Sequence, residues 1–508
     1  MIGSMIGENQ VSPKQVLDFA TLKNAFIDLK AINLLIQRDN FEELIDESLK
    51  ENPEEFITED RIKAIIIRKE TKLSGVSQEV IIEKSGKRLF RDEYSPKFRI
   101  LDECDVTGKS YSEGKVENFL AYFRDKYNFL EPLLHKRQGF EPKPLSRLDR
   151  TAKNKEVHFI AMVREKQKSR SGHLIFKLED LEAECTGLAL KDDNKIMDIC
   201  RNIMPDEVLG FKAVKGNDDL VIIKEVLWPD LPSRKLKTIN EQLSIACISD
   251  MHIGSKMFLE NEFSKFISWI NGDYGDEKEL EKVSRIKYLL IAGDLCDGIG
   301  VYPDQINELN IKDINEQYES FASFMKRIPE SIEVFIIPGN HDCVVRRADP
   351  QPAIPKEFCK ELHALGNFHF LGSPSMAEIE GFKTLLYHGN SMHQVNANVS
   401  GMDFKKPEKT MEELLKRRTL VPTYGMRHTL VPERKDYLLI REEPDIFLTG
   451  DMHHKGYSNY KGVLCLNAGT WQTVTKFQQE LGHVPTPGIC PTIDLSNGKI
   501  TENCFYQC

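Results

Sequence analysis

The sequence predicts a mixed α/β protein in which a large strand–helix region is preceded by a small β-barrel and a helical N-terminal module. Three observations predict it. From residue 243 onward, short apolar β runs alternate with helical stretches, and nearly every run ends in a polar cluster. Between 156 and 228 the pattern switches to five closely spaced β runs. Before residue 70, helix signals dominate. At 508 residues the chain exceeds one ordinary core, which agrees with two or three domains.

The N-terminal module is expected to span 1–69. Ser12, Pro13 and Gln15 supply an N-cap, a proline at the first helical position and a capping-box partner. Leu17, Phe26, Leu29, Leu34 and Leu35 provide the apolar faces. Residues 70–155 read as a polar connector holding one strong helix, in which Val116, Phe119, Leu120, Phe123, Tyr127 and Leu130 follow helical spacing. That stripe predicts a packing helix whose basic residues form a solvated face.

The runs VHFIAMV, GHLIFKLED, TGLAL, EVLGFKAV and DLVIIKEVLW predict a five-stranded OB-type barrel over 156–228. The hairpin between the first two carries Arg164, Lys166, Lys168 and Arg170, which can meet oligonucleotides in such a fold; a solvated tip is the plainer reading. Residues 229–242 read as a linker, leaving 243–508 as the catalytic region.

Composition restricts the partners. With 40% hydrophobic and 29% charged residues, and no apolar run approaching membrane length, the expectation is a cytoplasmic protein without a membrane partner or secretory signal. The eleven cysteines form no CxxC pair and are expected to be reduced thiols. A net charge of −10 argues against a chain that grips nucleic acid by itself, because phosphate neutralisation needs a basic field. Local patches such as Lys416, Arg417 and Arg418, with Arg427 and Arg434 nearby, could guide a strand, face a partner, or be a solvated helix face.

The chemistry concentrates at five strand ends. LSIACIS runs into Asp250 and His252, KYLLIA into Asp294 and Asp297, SIEVFII into Asn340, His341 and Asp342, FKTLLY into His388, and PDIFLT into Asp451 and His453. Ligand sites in open α/β sheets gather at the carboxyl ends of strands, so all five could meet along one edge. The tripeptide Asp-Met-His occurs twice, at 250–252 and 451–453. Residues two apart on an extended segment share a side, so the two copies could converge, and His454 would then point the other way. Asp, His and Asn without thiolates suit Mn, Mg, Fe or Zn. So many ligands suit two ions about 3.5–4 Å apart, with Mn or Mg expected first. Gly254, Gly293, Gly339, Gly389 and Gly450 beside the ligands are expected to allow tight turns and keep the approach open.

Taken singly each cluster is weak, but the ordered set resembles the calcineurin-like metallophosphoesterases, whose pattern runs D-x-H, GDxxD, GNHD, H and GHxH. The resemblance implies a four-layer core of two facing sheets with helices outside. It implies that Asp250, His252 and His453 hold a first metal and that Asp294 bridges. Asn340, His388 and Asp451 would hold the second. His341 would be a non-ligand histidine that protonates the leaving oxygen or stabilises charge building on the phosphate, positioned by Asp342. Position 451 departs from the pattern, since the family expects histidine there; a harder oxygen ligand implies a shift toward Mg or Mn.

Beyond these motifs, DVTGKSYSEGKVENFLAYFRDKY, EELLKRRTLVPTYG, LVPERKDYLLIREEPDIFLTGD and NAGTWQTVTKFQ resemble the small-subunit family of archaeal family D DNA polymerases, related to the B subunits of eukaryotic replicative polymerases. That resemblance implies a metal-dependent 3′→5′ exonuclease that acts on DNA 3′ ends in complex with a large polymerase subunit. It leaves two rivals. One is an inert scaffold, which the full ligand set disfavours. The other is a stand-alone repair nuclease, which would be expected to add a capping domain after the catalytic one.

Overall fold

The computed structural model describes residues 12–23, 25, 27–36, 41–51, 57 and 62, and 89–506 apart from 274, 427 and 481. The chain divides into two compact units, 1–80 and 81–508.

In the first unit, helices Pro13–Leu22, Leu29–Leu35 and Phe41–Glu51 surround a small core of Val16, Ile32, Leu35, Leu44, Ile45 and Ile57. The capping box forms, with the Ser12 side chain accepting from Gln15 N and Gln15 Oε1 accepting from Ser12 N. Of the expected apolar face, Leu35 is buried and Leu34 packs beside the core, whereas Leu17 is 47% exposed because Val16 and Ala20 take the inward positions. Phe26 and the Leu29 side chain lie outside the described residues.

Among its described residues the second unit has seventeen strands. They are β1 (Phe98–Ile100), β2 (Glu156–Lys168), β3 (Leu174–Glu179), β4 (Glu184–Ala189), β5 (Val208–Lys215), β6 (Leu220–Leu227), β7 (Ser244–Ile248), β8 (Ile286–Ala292) and β9 (Glu333–Ile337). The rest are β10 (Phe368–Phe370), β11 (Ser375–Ile379), β12 (Phe382–Leu386), β13 (Ile446–Thr449), β14 (Lys455–Tyr460), β15 (Val463–Ala468), β16 (Ile489–Asp494) and β17 (Ile500–Cys504). Strands β2–β6 close the expected five-stranded barrel in the order β2-β3-β4-β6-β5.

The remaining strands make two six-stranded sheets, β10-β9-β8-β7-β16-β17 and β1-β11-β12-β13-β15-β14. Alternation of side chains explains how they stack. Ile245 and Cys247 of β7 face the inter-sheet core with Leu290, Phe335, Leu386, Ile446 and Leu466, while Ala246 and Ile248 face outward. Helices Glu260–Asn271 and Ile314–Met325 cover that outer face, and Met392–Asn398 with Pro407–Arg417 cover the other sheet. The result is the four-layer order helix, sheet, sheet, helix. Strands buried on both faces read as unbroken apolar runs, which is why IKYLLIA and SIACI carry no alternation.

The connector helix, Val116–His135, differs from its sequence reading. Its buried face is Tyr122, Tyr127, Leu130 and Leu134, while Val116 and Leu120 are 77% and 48% exposed. Lys126, expected on a solvated face, is buried and donates to Pro422 O at 3.1 Å. An apolar stripe gives the period but not where the neighbouring surface begins.

Of the basic clusters, one is internal and the other is partly tied down by contacts within the protein. Strand β2 extends through Lys168, so only 169–173 form the hairpin turn; Arg164 pairs with Glu184 at 2.6 Å, and Lys166 donates to Arg201 O and Ile203 O. Lys168 and Arg170 are exposed at the tip. Arg417 and Arg418 are each 2% exposed. Arg418 donates to Ile440 O and Arg441 O, and Lys416 Nζ lies 4.4 Å over the Trp228 ring. Arg417 Nε sits 2.6 Å from Glu207 and its guanidinium donates to Asn202 O, tying the barrel to the sandwich. Burial therefore argues against Arg417 and Arg418 as a strand guide. Removing one partner of a buried pair leaves the other charge stranded, so Arg417→Ala is expected to cost roughly 3–5 kcal/mol in urea unfolding. Unchanged stability in that variant would show that the pair does not lock the two folds together.

Candidate metal centre

Strands β7, β8, β9, β12 and β13 all deliver their following residues to one edge of the sandwich. The turns there are unusual. Asp250, His252, Asp294, Asp451 and His453 all have positive φ, between 51° and 64°. Left-handed backbone at non-glycine residues costs about 1–3 kcal/mol each and persists only where the surroundings enforce it. Here Asp250 N donates to Gly293 O, His252 N to Asp294 O, and Asp451 N to the Asp250 carboxylate at 3.0 Å. Thus the two Asp-Met-His copies are not extended, as the sequence reading assumes. Each is a left-handed turn repeated on a central strand of its own sheet. Met251 and Met452 are buried in opposite outer cores, which throws the flanking Asp and His toward one point.

The donor atoms converge. His252 Nε2 and His453 Nε2 are 3.0 Å apart, and Asp250 Oδ1 lies 3.8 and 3.3 Å from them. His388 Nε2 is 3.3 Å from Asp294 Oδ1 and 3.0 Å from Asn340 Oδ1. Three overlapping groups could hold a metal ion: Asp250–His252–His453, Asp250–Asp294–His388 and His252–Asp294–His341. Asp294 and Asp250 each belong to two of them. Asp451 Oδ1 stands slightly apart, 3.8 Å from His388 Nε2, and its buried Oδ2 makes no hydrogen bond, with His393 Nε2 3.3 Å away. His454 joins none of these groups and faces His483 instead, where burial and His483 push it down to about 4.

Two glycines are fixed by crowding. A Cβ on Gly339 would run into the Asp294 carboxylate, and one on Gly450 into Ser249 and Asp250. Gly254, Gly293 and Gly389 have positive φ and make the tight turns expected of them.

Ring orientation follows from outer partners. His388 Nδ1 donates to Ala292 O at 2.6 Å and Asp297 Oδ1 lies 3.0 Å from His252 Nδ1, so each ring turns Nε2 to the centre. His341 Nδ1 donates to the backbone carbonyl of Asp297 at 2.8 Å. Asp342 does not position His341. Its carboxylate accepts from Gly339 N, Leu295 N and Tyr318 Oη, bracing the turn itself. Asp297, further held by Gln305 and Gln472, orients both rings, His252 through its carboxylate and His341 through its backbone carbonyl. The second Asp of GDLCDG is the sequence signal that points to it.

Charge is balanced between acids and imidazoles. Burial alone would raise Asp250 and Asp294, but His252, His453 and His388 hold both carboxyls below the usual range. Burial opposes charge on His252, yet Asp250 and Asp297 hold it up at about 10; Asp294 holds His388 well above its usual value. Burial pushes His341 down, and burial with the charge of Asp294 pushes Asp342 up to about 6. A donor set of buried, pre-oriented nitrogens and carboxylate oxygens fits divalent metal. A cavity of about 710 Å³ opens over it, walled by Tyr302, Arg347, His393, Phe404, His428 and His483. The sequence reading assigned nothing to these wall residues, which come from separate segments, His393 from helix Met392–Asn398 and the others from loops, without a shared motif.

His252, held up at about 10, carries a proton at pH 7, and metal ligation needs its lone pair; Asp294 shifts His388 in the same direction. Loading Mn at pH 7.5 is expected to release a proton from His252, and affinity to rise with pH up to about 10. Calorimetry in buffers of different ionisation enthalpy reads this; a binding heat independent of buffer would contradict it.

Comparison with known proteins agrees with this architecture. The family of B subunits of DNA polymerases alpha and epsilon matches residues 245–458. The DNA polymerase II small subunit of Methanocaldococcus jannaschii is 40% identical over 408 residues, covering 80% of this chain and 68% of the relative. That of Archaeoglobus fulgidus is 35% identical over 499 residues, covering 96% of this chain and 99% of the relative. Among solved structures, an archaeal phosphodiesterase aligns with 52% of this chain and 99% of its own at 14% identity, with a TM-score of 0.26, and the fold assignment stands on the topology above instead. The chain belongs to the family of archaeal DNA polymerase II small subunits, the small subunits of family D DNA polymerase.

Proposed function

We propose that this chain is the 3′→5′ exonuclease of a two-subunit replicative polymerase, removing nucleotides from DNA 3′ ends at a site for two divalent ions, Mn or Mg. The observation that carries this reading is the sharing of Asp294 and Asp250 among overlapping donor groups at one sheet edge. Sharing is what two adjacent ions require and what a single structural ion does not.

In this reading Asp250, His252 and His453 would hold one ion, Asn340, His388 and Asp451 the other, and Asp294 would serve both. The ions supply charge that offsets the negative charge building on the phosphoryl oxygens and make hydroxide available near neutral pH. In the reaction the water oxygen bonds to phosphorus and the P–O3′ bond breaks, leaving a 3′-hydroxyl on the strand and a 5′-phosphate on the released nucleotide. His341 handles the proton. Its Nδ1 is committed to the Asp297 carbonyl, so Nε2 is the atom that can give a proton to the departing O3′. Burial favours the neutral ring, and an approaching phosphodiester anion favours its charged form.

The flanking regions fit a subunit better than a lone enzyme. The catalytic region 243–508 follows the barrel at 156–228, which offers Lys168 and Arg170 at an exposed tip. With a net charge of −10, most of the grip on DNA falls to the large subunit. No helix among the described residues is long and apolar enough to cross a membrane. A cytoplasmic location follows from the proposed work on chromosomal 3′ ends.

Release of label from 3′-labelled single-stranded DNA, with Mn or Mg and with or without the large subunit, tests the activity. His341→Ala is expected to keep its bound ions and lose about 10²–10⁴-fold in rate. A His341→Ala protein depleted in metal would make His341 a ligand and overturn its role.

A further inference from the structure

One wall of the cavity carries an aromatic cluster that the hydrolytic chemistry does not use. Phe404 is 37% exposed, on an irregular segment between helices. Its ring lies 5.5 Å from that of His393 and 5.8 Å from that of His483, and the two imidazoles are 6.2 Å apart. All three line the same cavity as Asp294 and Asp451.

Its position relative to the metal centre is specific. His393 Nε2 is 3.3 Å from Asp451 Oδ2, and its ring contacts Phe404 on the far side. The cluster therefore begins one imidazole away from a candidate ligand. Gln394, also lining the cavity, is 4% exposed, and neither atom of its side-chain amide has a hydrogen-bond partner. Lys405 and Lys406 follow Phe404 and are exposed. A ring face, an unpaired amide and flanking cations match base, base edge and phosphate respectively.

We propose that Phe404, backed by His393 and His483, seats the base of the 3′-terminal nucleotide while its 5′-phosphate lies at the metal centre. This rests on reading the centre as a phosphodiesterase. Stacking on a ring is tolerant of base identity, since every base has a π-face, but it needs a base that is unpaired. A terminal base inside a duplex is already stacked and paired. The seat thus gives the site a physical means of choosing frayed or mismatched 3′ ends, as an enzyme acting behind a polymerase requires.

The test uses the chain in complex with its large subunit. Phe404→Ala is expected to raise KM for a single-stranded oligonucleotide roughly 10-fold, in the span of base–aromatic stacking. Phe404→Trp should restore the oligonucleotide KM. An oligonucleotide ending in an abasic residue should be indifferent to Phe404→Ala. Equal loss on both substrates, or no change in KM, would overturn the seat. A second readout needs no turnover: 2-aminopurine at the 3′ terminus should be quenched by the wild type and not by Phe404→Ala. Identical fluorescence in the two would overturn the seat whatever the rates. Failure of the wild type to hydrolyse bis(p-nitrophenyl) phosphate would instead count against the phosphodiesterase reading.

Discussion

Two carboxylates, Asp250 and Asp294, lie at the sheet edge with 0% and 2% exposure, and the rest of the centre is arranged to make that tenable. An unpaired carboxylate at such depth would protonate. These remain charged because His252, His453 and His388 face them from three chain segments, the first of them shared with Asp250. The compensation is mutual, since the same carboxylates favour the charged forms of His252 and His388. Imidazoles facing carboxylates in this way mark the positions that metal ions would take in the chemistry proposed above.

The four-layer sandwich supplies what the cluster needs from both sides. One sheet contributes Asp250, Asp294 and Asn340, the other His388, Asp451 and His453. Two of the three donor groups draw on both sheets. The repeated Asp-Met-His turns are the clearest expression of this. Each places a buried methionine in its own outer core and bends its backbone into the left-handed region. Outer-core packing, ordinarily a stability matter, here aims the ligands.

Much of this was legible in the sequence, and the failures have physical causes. Apolar runs buried on both faces announce themselves, so the strand ends and their polar residues could be named in order. Spacing did not reveal the backbone conformation, because Asp250 and His252 look the same whether extended or left-handed. Nor does a charged letter declare its surroundings. Arg417, Lys126 and Lys166 read as surface residues, yet each is tied to acceptors inside the protein. Proximity in sequence misled at His341, where Asp342 is adjacent but turned into the core and Asp297 supplies the partner. The cavity wall was invisible for another reason: His393 comes from a helix and Phe404 and His483 from two loops, and they meet only in three dimensions.

The central claim is that two ions share Asp294. Anomalous diffraction at the manganese edge from crystals grown with Mn tests it most directly. Two peaks about 3.5–4 Å apart are expected, with Asp294 between them and an Asp451 oxygen on the ion that His388 holds. A single peak, or two ions with Asp294 on only one of them, would contradict it.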